Sequence, residues 1–356
     1  MSDTIEIAGV SIAPGERKIV RVPVAARFIA GNVEIPAVVV RGRKPGPRLF
    51  VSAALHGDEI NGTEIVRRLL GRPLLRKLRG TLVAVPVVNV YGFVTQERYL
   101  PDRRDLNRSF PGSAKGSLAA RLADAFLTNF VKGSTHGIDL HTGAIHRSNL
   151  PQIRARLSSK ETEEMARAFG APVIMNAPLR PGSLRMAAGE FGIPTIVYEA
   201  GEALRFDEAC IQAGLRGVIG VMRHLDMLPR SRGQGVSKAS AAVISQRSIW
   251  VRAPETGMLV TGLRLGDQIA KKEILGQITD PLGEASCNIK SPVDGVLIGK
   301  TNIPLANEGD ALFHIATFDE LETVAEELDA FKEDLEMDSF EEPVLSPSVS
   351  ASESTA

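Results

Sequence analysis

The sequence predicts an α/β protein with a mostly parallel sheet covered by helices on both faces, followed by a C-terminal all-β sandwich domain. Continuous apolar segments such as RLFVSAAL alternate with helical segments as far as about residue 225. Between residues 249 and 317, short strands separated by Gly, Pro and Asp replace that alternation. With 356 residues, 44% of them hydrophobic, the chain is long enough to build real cores in both parts.

The elements follow this order along the chain. Residues 1–50 are typical of short strands, because β-branched residues cluster between Pro and Gly. The strands predicted next are RLFVSAAL, TLVAVPVVNV, HGIDLH and PTIVYEAG, and the helices are residues 61–70, 118–131, 161–169 and 206–225. Apolar strands that alternate with helices indicate a parallel sheet buried on both faces.

Composition divides the chain into four parts. Residues 1–230 form the α/β domain, 231–248 a linker rich in Arg, Ser, Gly and Ala, 249–318 the β sandwich and 319–356 an acidic, largely disordered tail. An amphipathic helix could form within residues 319–342 through Leu321, Val324, Leu328 and Phe331. We favour a solvated appendage for this tail over a tether that contacts the body.

The charge distribution limits the kinds of partner. The tail has 13 acidic residues against one Lys, a net charge of −12, so residues 1–318 carry +12 in a chain that is neutral overall. A mildly basic body fits an anionic small substrate, and equally an ordinary solvated surface. The sequence contains no basic run with interleaved aromatic residues, so we expect no nucleic-acid partner. It contains no apolar run long enough for a membrane span. With two cysteines in unrelated segments and no export signal, we expect a cytoplasmic protein.

The first candidate motif directly follows the strand RLFVSAAL. His56 and Glu59 flank Gly57, so both side chains can converge at a strand end as metal ligands. Asn61 and Glu64 have the spacing of a capping box, which predicts a rigid helix start just beyond the motif. Alone, the motif is also compatible with a polar loop before a helix.

The second motif is Asp139-Leu140-His141 on the predicted strand HGIDLH. His141 would complete a set of two His and one carboxylate with an open fourth position, the pattern of catalytic zinc. Asp139 shares its strand face and could fix the histidine tautomer. His136 and His146 compete for the ligand role. For His224 and His314 we expect ordinary packing or surface positions.

The third and fourth motifs carry candidate substrate and catalytic groups. Asn107 and Arg108 form a plausible clamp for a substrate carboxylate, or else belong to a solvated basic loop. Other arginines could stabilise an oxyanion. Glu199 ends an apolar strand, where a partly desolvated carboxylate suits a general base, and Glu202 is the rival.

Taken in order, the motifs HGDE, DLNRSFPG, DLHTG and VYEAGE resemble the succinylglutamate desuccinylase/aspartoacylase family, relatives of the zinc carboxypeptidases, over about residues 45–225. The resemblance implies a zinc-carboxypeptidase-like catalytic domain with one Zn²⁺ per chain. It assigns the ligands to His56, Glu59 and His141, the substrate clamp to Asn107 and Arg108, and the catalytic base to Glu199. For the arginine that polarises the scissile carbonyl, Arg98, Arg103 and Arg104 compete, and we favour Arg98.

The implied activity is hydrolysis of the amide bond of a small anionic N-acyl amino acid. The alternatives are a metallocarboxypeptidase that acts on peptides and a non-catalytic binding protein on the same fold. The acyl group, the amino acid and the metal present in vivo stay open, and a homo-oligomer is possible.

Residues 250–317 resemble a biotinyl/lipoyl-type β sandwich. At the turn where such carriers present a modified Lys, residues 279–284 contain none, and Lys290 lies in a strand-like segment. We therefore expect no attached cofactor, and an interaction or active-site-shielding role.

Overall fold

A large mixed sheet organises the protein, seen in a computed structural model that describes residues 4–26, 32–230, 243–318, 324 and 326–331. The strands of the first part are β1 (Ile5–Ile7), β2 (Val10–Ile12), β3 (Arg17–Ala26), β4 (Asn32–Arg41), β5 (Lys44–Ala53), β6 (Arg79–Val85), β7 (His136–Gly143), β8 (Arg147–Ala155), β9 (Val173–Asn176) and β10 (Thr195–Glu202). The α-helices are α1 (Asn61–Gly71), α2 (Val90–Thr95), α3 (Leu118–Phe126), α4 (Lys160–Phe169), α5 (Leu184–Glu190) and α6 (Glu208–His224).

The strand order of this part is β3-β4-β6-β5-β7-β10-β8, with β9 beside β8. Strands β6, β5, β7 and β10 are parallel to one another. Strand β4 pairs antiparallel with β6, β3 pairs antiparallel with β4, and β8 pairs antiparallel with β10. The parallel strands place their carboxyl ends at one edge, which is where open α/β sheets bind ligands.

Helices cover both faces of the sheet because its central strands are apolar on both sides. In β5, Leu49 and Val51 belong to one core cluster and Phe50 to the other. Helices α1, α4 and α6 pack on the first side, and α3 and α5 pack on the second. The predicted fold class is confirmed.

Two predicted elements have different limits. The segment TLVAVPVVNV is not one strand: β6 ends at Val85, before Pro86, and α2 begins at Val90 with the Asn89 side chain accepting a hydrogen bond from the Gly92 N–H. Proline cannot donate to a sheet ladder, which explains the end of the strand. The helix predicted over residues 118–131 is α3 followed by a π-helical turn, Leu127–Val131.

The C-terminal region contains β11 (Val243–Ser245), β12 (Arg247–Arg252), β13 (Gly257–Val260), β14 (Gln268–Ile269), β15 (Ile274–Thr279), β16 (Ser286–Lys290), β17 (Gly295–Thr301), β18 (Leu305–Ala306) and β19 (Ala311–Thr317). One sheet, β16-β15-β13-β18, shares an apolar core with β12, β17 and β19. Strand β17 also pairs antiparallel with β8, so the second layer of this β module continues the main sheet.

The predicted linker is too long at its C-terminal end. Residues 231–242 lie outside the described part of the chain, but β11 pairs with β9 and β12 pairs with β19. The Val-Ile-Ser segment of β11 becomes a strand because the edge of β9 offers it a ladder, an effect of tertiary structure that local composition does not reveal.

The beginning of the acidic segment packs on the body, contrary to the solvated appendage that we favoured. Residues 324 and 326–331 are helical, and Val324, Leu328 and Phe331 are buried. Val324 and Leu328 pack with residues of β8 and β17, and Phe331 packs against the core under α6. Leu321 and residues 332–356 lie outside the described residues. Within the described chain, every helix is too short or too polar to cross a membrane.

Candidate active site

The HGDE motif forms a tight loop between β5 and α1. The loop lies against the start of α2 so closely that a Cβ on Gly57 would stand 1.9 Å from the carbonyl carbon of Gly92. Only glycine fits there, and the close contact fixes the flanking His56 and Glu59, both of which are buried.

The predicted capping box does not form. The Asn61 side chain instead accepts a hydrogen bond from the Asp207 N–H at 3.1 Å, and Glu64 pairs with Arg67 and Arg68. Residue Ile60 precedes the helix without a side-chain cap. The Asn61 contact ties the loop to the start of α6 and holds it rigid in another way.

His56, Glu59 and His141 converge at the carboxyl ends of β5 and β7. One Glu59 oxygen lies 2.7 Å from His56 Nδ1 and the other lies 2.6 Å from His141 Nδ1. One ligand atom from each of the three side chains falls within 4.8 Å of the others. The structure therefore brings together the three residues that the sequence predicts as metal ligands.

Carboxylates orient the far side of both imidazole rings. His141 Nε2 lies 2.7 Å from Asp139 Oδ2, and Asp139 Oδ1 accepts a hydrogen bond from the Ser52 hydroxyl at 2.7 Å. His56 Nε2 lies 3.1 Å from Asp105 Oδ1. Each ring thus has Nδ1 towards Glu59 and Nε2 towards another carboxylate. Metal-binding histidines commonly have a carboxylate at the nitrogen that does not bind the metal.

The electrostatics of the group favour positive charge at its centre. Burial opposes ionisation of all three side chains, yet the carboxylates of Asp139 and Glu59 raise the pKa of His141 well above its usual value. His56 and His141 in turn hold the pKa of Glu59 well below its usual range, against its burial. Two imidazoles and one carboxylate, oriented from behind by other carboxylates, fit a divalent metal ion.

The competing histidines lie elsewhere. His136 is at the opposite end of β7, with Nε2 3.0 Å from Glu161. The His146 side chain is more than half exposed and faces Glu202. Neither residue lines the cavity that contains the His-Glu-His group.

Of the three competing arginines, Arg98 reaches the group. Its guanidinium lies 3.0 Å from Glu59 Oε1 and 3.2 Å from Asp105 Oδ2. Arg103 and Arg104 are exposed and do not line the cavity. Among the three, only Arg98 lies beside the His-Glu-His group.

Asn107 and Arg108 line the same cavity from the loop after Asp105. The Asn107 Oδ1 accepts a hydrogen bond from the Leu184 N–H at 2.9 Å, which fixes the amide at the start of α5. Arg108 is exposed, and its side chain contacts the carbonyl of Asn107. Both residues are therefore available to a ligand from the cavity side.

Glu199 enters the cavity from β10, where it pairs in register with His141 of β7. Its carboxylate accepts a hydrogen bond from Asn149 Nδ2 at 3.1 Å and forms an ion pair with the Arg154 guanidinium, with N and O atoms 2.9 Å apart. The rival Glu202 lies outside the cavity and bonds the His146 N–H and Asn302. Position therefore favours Glu199 as the carboxylate that meets a ligand.

The cavity has a volume of about 700 Å³, within the usual range for small-molecule sites. Seven arginines line it, against three carboxylates from Glu59, Asp139 and Glu199. The arginines are Arg98, Arg108, Arg147, Arg154, Arg180, Arg185 and Arg247. Burial and the nearby Arg154 lower the pKa of Arg185 to about 10. Such a cavity attracts anions.

Several residues that line the cavity are not recognisable as site residues from the sequence. Arg147, Asn149 and Arg154 lie on β8, which was not predicted as a strand, and Trp250 and His314 come from the β module. His314 is packed and buried, one of the two positions that we expect for it, and it also lines the cavity. No local motif marks these residues, because the pairing of β8 with β10 and with β17 joins segments that are distant in the sequence.

Comparison with known proteins agrees with these observations. The sequence model of the succinylglutamate desuccinylase/aspartoacylase catalytic domain matches residues 45–225. An N-alpha-acetyl-L-2,4-diaminobutyric acid deacetylase from Halomonas elongata is 27% identical over 296 residues, which span 80% of this chain and 86% of that protein.

Solved structures share the fold. A succinylglutamate desuccinylase/aspartoacylase from Rhodobacter sphaeroides has a TM-score of 0.75 at 24% identity, and covers 85% of this chain and 95% of its own. The product-bound ectoine utilization protein EutE (DoeB) from Ruegeria pomeroyi has a TM-score of 0.75 at 22% identity, with the same coverage. Because the family match spans half of the chain and includes the His-Glu-His group, Asn107, Arg108 and Glu199, the chain belongs to the succinylglutamate desuccinylase/aspartoacylase family.

Proposed function

We propose that the protein is a zinc-dependent amidohydrolase that cleaves the amide bond of a small N-acyl amino acid. The observation that carries the proposal is that the His56-Glu59-His141 group and Glu199 line one cavity together with the Asn107-Arg108 pair. The deacetylase from Halomonas elongata, by its name, acts on an N-acetylated amino acid, which supports the same reaction class.

His56, Glu59 and His141 would hold the zinc ion. When bound, zinc supplies Lewis acidity, which makes water a competent nucleophile near neutral pH. Glu199 accepts the proton of the attacking water and later delivers it to the leaving amine, as a general base that becomes a general acid. The hydrogen bond from Asn149 and the ion pair with Arg154 hold its carboxylate in the cavity.

The arginines have two roles, stabilisation of the oxyanion and binding of the substrate carboxylate. Arg98, adjacent to Glu59, stabilises the negative charge that develops on the carbonyl oxygen. Asn107 and Arg108 bind the carboxylate of the amino acid, since a guanidinium fork and an adjacent amide offer several donors to its two oxygens. These roles use one end of the substrate for positioning and the other for bond cleavage.

The shape of the cavity supports a small substrate rather than a peptide. Trp250 and His314 of the β module form part of its wall, beside the strands that carry the catalytic groups. A carboxypeptidase needs an open groove for the rest of the peptide, and we expect this wall to limit the room for one.

The substitution Glu199→Gln tests the assignment, because glutamine keeps the shape of the side chain but cannot accept the proton. We expect kcat for an N-acyl amino acid to fall by about 10²- to 10⁴-fold, with the protein still folded. The matched control is Glu202→Gln, which lies outside the cavity and should leave kcat within a few-fold. Full activity of Glu199→Gln would exclude Glu199 as the base.

A further inference from the structure

The positive charge of the cavity exceeds what the proposed reaction requires. Among the described residues, only Arg98 and Arg154 of the cavity arginines form ion pairs, with Glu59, Asp105 and Glu199. Asn107 and Arg108 suffice for one substrate carboxylate. The cavity therefore has guanidinium groups that can bind a further anion.

Arg147 is the best-placed of these groups. It begins β8, is half-buried and has no carboxylate partner in the described chain. Its guanidinium carbon lies 5.2 Å from the centre of the Trp250 ring, a distance typical of cation–π contacts. The contact stabilises the guanidinium and leaves its N–H donors free for a ligand.

The β module holds Trp250 in place. The indole stacks on His314 with ring centres 4.5 Å apart and planes inclined by 7°, and His314 Nε2 lies 2.8 Å from the Ser248 hydroxyl. Burial and the nearby Arg154 lower the pKa of His314 to about 3, so the ring is neutral at pH 7. Trp250 and His314 lie opposite each other on the paired strands β12 and β19. The stack is therefore a rigid wall.

We infer that Arg147, held against the Trp250–His314 stack, is a second anion subsite that binds a substrate carboxylate other than the one held by Asn107 and Arg108. This inference rests on the proposed function. The second carboxylate could come from the acyl group, as in a succinyl group, or from the side chain of the amino acid. Substrates with a cationic side chain, such as the diaminobutyric acid derivative named for the Halomonas elongata relative, would be disfavoured by the surrounding arginines.

Trp250 allows a direct binding measurement, because it is the single tryptophan of the chain. A carboxylate that binds Arg147 changes the surroundings of the indole, so its fluorescence reports the subsite without catalysis. Titration of the full-length protein with succinate, aspartate and acetate should give a saturable change for succinate or aspartate at concentrations at least about 10-fold below those needed for acetate.

The variant Arg147→Met keeps the length and apolar contact of the side chain and removes the charge. We expect it to weaken binding of the responding dicarboxylate by about 10- to 100-fold. The matched control, Arg103→Met, replaces an exposed arginine outside the cavity and should bind like the wild type. Equal responses to all three acids, or an unchanged response in Arg147→Met, would overturn the subsite.

Kinetics identify which part of the substrate supplies the anion. N-acetylalanine has a single carboxylate, whereas N-acetylaspartate has a second one on the amino-acid side chain and N-succinylalanine has a second one on the acyl group. We expect kcat/KM to favour one of the two dicarboxylates, and Arg147→Met to reduce that preference by about 10- to 100-fold, mainly through KM. Arg147→Lys should restore part of it, since lysine keeps the charge but not the planar fork.

The two proposals fail in different ways. Turnover without any preference for a second carboxylate would overturn the subsite and leave the deacylase reaction standing. Absence of turnover for all three compounds by the metal-loaded protein, with a fluorescence response that Arg147→Met abolishes, would overturn the deacylase reaction and support the subsite.

Discussion

At the scale of single residues, the sequence predicts the convergence of His56, Glu59 and His141 but not which arginine lies beside them. His56, Glu59 and His141 follow apolar strands that end at one edge of a parallel sheet, so topology alone brings them together. Arg98 shares its loop region with two other arginines, and a loop has no periodicity from which direction can be inferred. Only the structure shows that Arg98 turns towards Glu59.

Arg98 should therefore be sensitive to a change that removes its charge. We expect Arg98→Met to lower kcat by about 10²- to 10³-fold, the usual effect of losing one oxyanion donor. Steady-state kinetics on an N-acyl amino acid measure the effect. Arg104→Met, at an exposed position outside the cavity, is the control and should keep wild-type kcat. The reverse pattern, with Arg104→Met inactive and Arg98→Met active, would assign stabilisation of the oxyanion to Arg104 instead.

At the scale of elements, β8 and β17 connect the β module to Glu199, the proposed general base. Gly299 of β17 pairs with Asn149 of β8 on one side and with His314 of β19 on the other. Asn149 in turn bonds Glu199 of β10. The β module and Glu199 are each recognisable in the sequence, but their connection is not, because strand pairing between distant segments leaves no local pattern.

The Gly299→Ala variant tests this connection. An added Cβ would stand 2.8 Å from Asn149 Oδ1 and 3.2 Å from His314 Cβ, so the Asn149 side chain must shift. We expect this shift to weaken its hydrogen bond to Glu199. We expect a loss of about 1–3 kcal/mol in the free energy of unfolding and a fall in kcat of about 10- to 100-fold.

Gly262→Ala provides the matched control within the β module, since an added Cβ there meets nothing within 4 Å. It should change neither quantity appreciably. Denaturant unfolding and steady-state kinetics measure the two effects. Wild-type kcat in Gly299→Ala would show that the β17–β8 ladder does not position Glu199.

At the scale of the whole molecule, the α/β alternation predicted the fold class, whereas composition misplaced the limits between parts. The strands β5, β7 and β10 and helices α1, α4 and α6 are close to their predicted positions. The linker and the acidic segment were judged by local composition, yet β11 pairs with β9 and Phe331 is buried against the core. Tertiary contacts, rather than local composition, determine the structure of these two segments. A cytoplasmic location and a homo-oligomer stay predictions.

Removal of the packed part of the acidic segment should destabilise the body. Truncation after residue 318 removes Val324, Leu328 and Phe331, each of which is at most 7% exposed. A fully buried side chain of this kind contributes about 1.5–3 kcal/mol, so we expect a loss of several kcal/mol in the free energy of unfolding. Truncation after residue 331 keeps every one of these side chains and should be neutral. Equal stability of both truncations would show that the buried contacts contribute nothing.

The measurement that tests the central claim most directly is the release of free amino acid by the metal-loaded protein. N-acetyl and N-succinyl amino acids are compared with N-blocked dipeptides, and Glu199→Gln serves as the inactive control. We expect turnover of the N-acyl amino acids, little or none of the dipeptides, and loss of the reaction in Glu199→Gln. Turnover mainly of the dipeptides would contradict it and make the protein a carboxypeptidase.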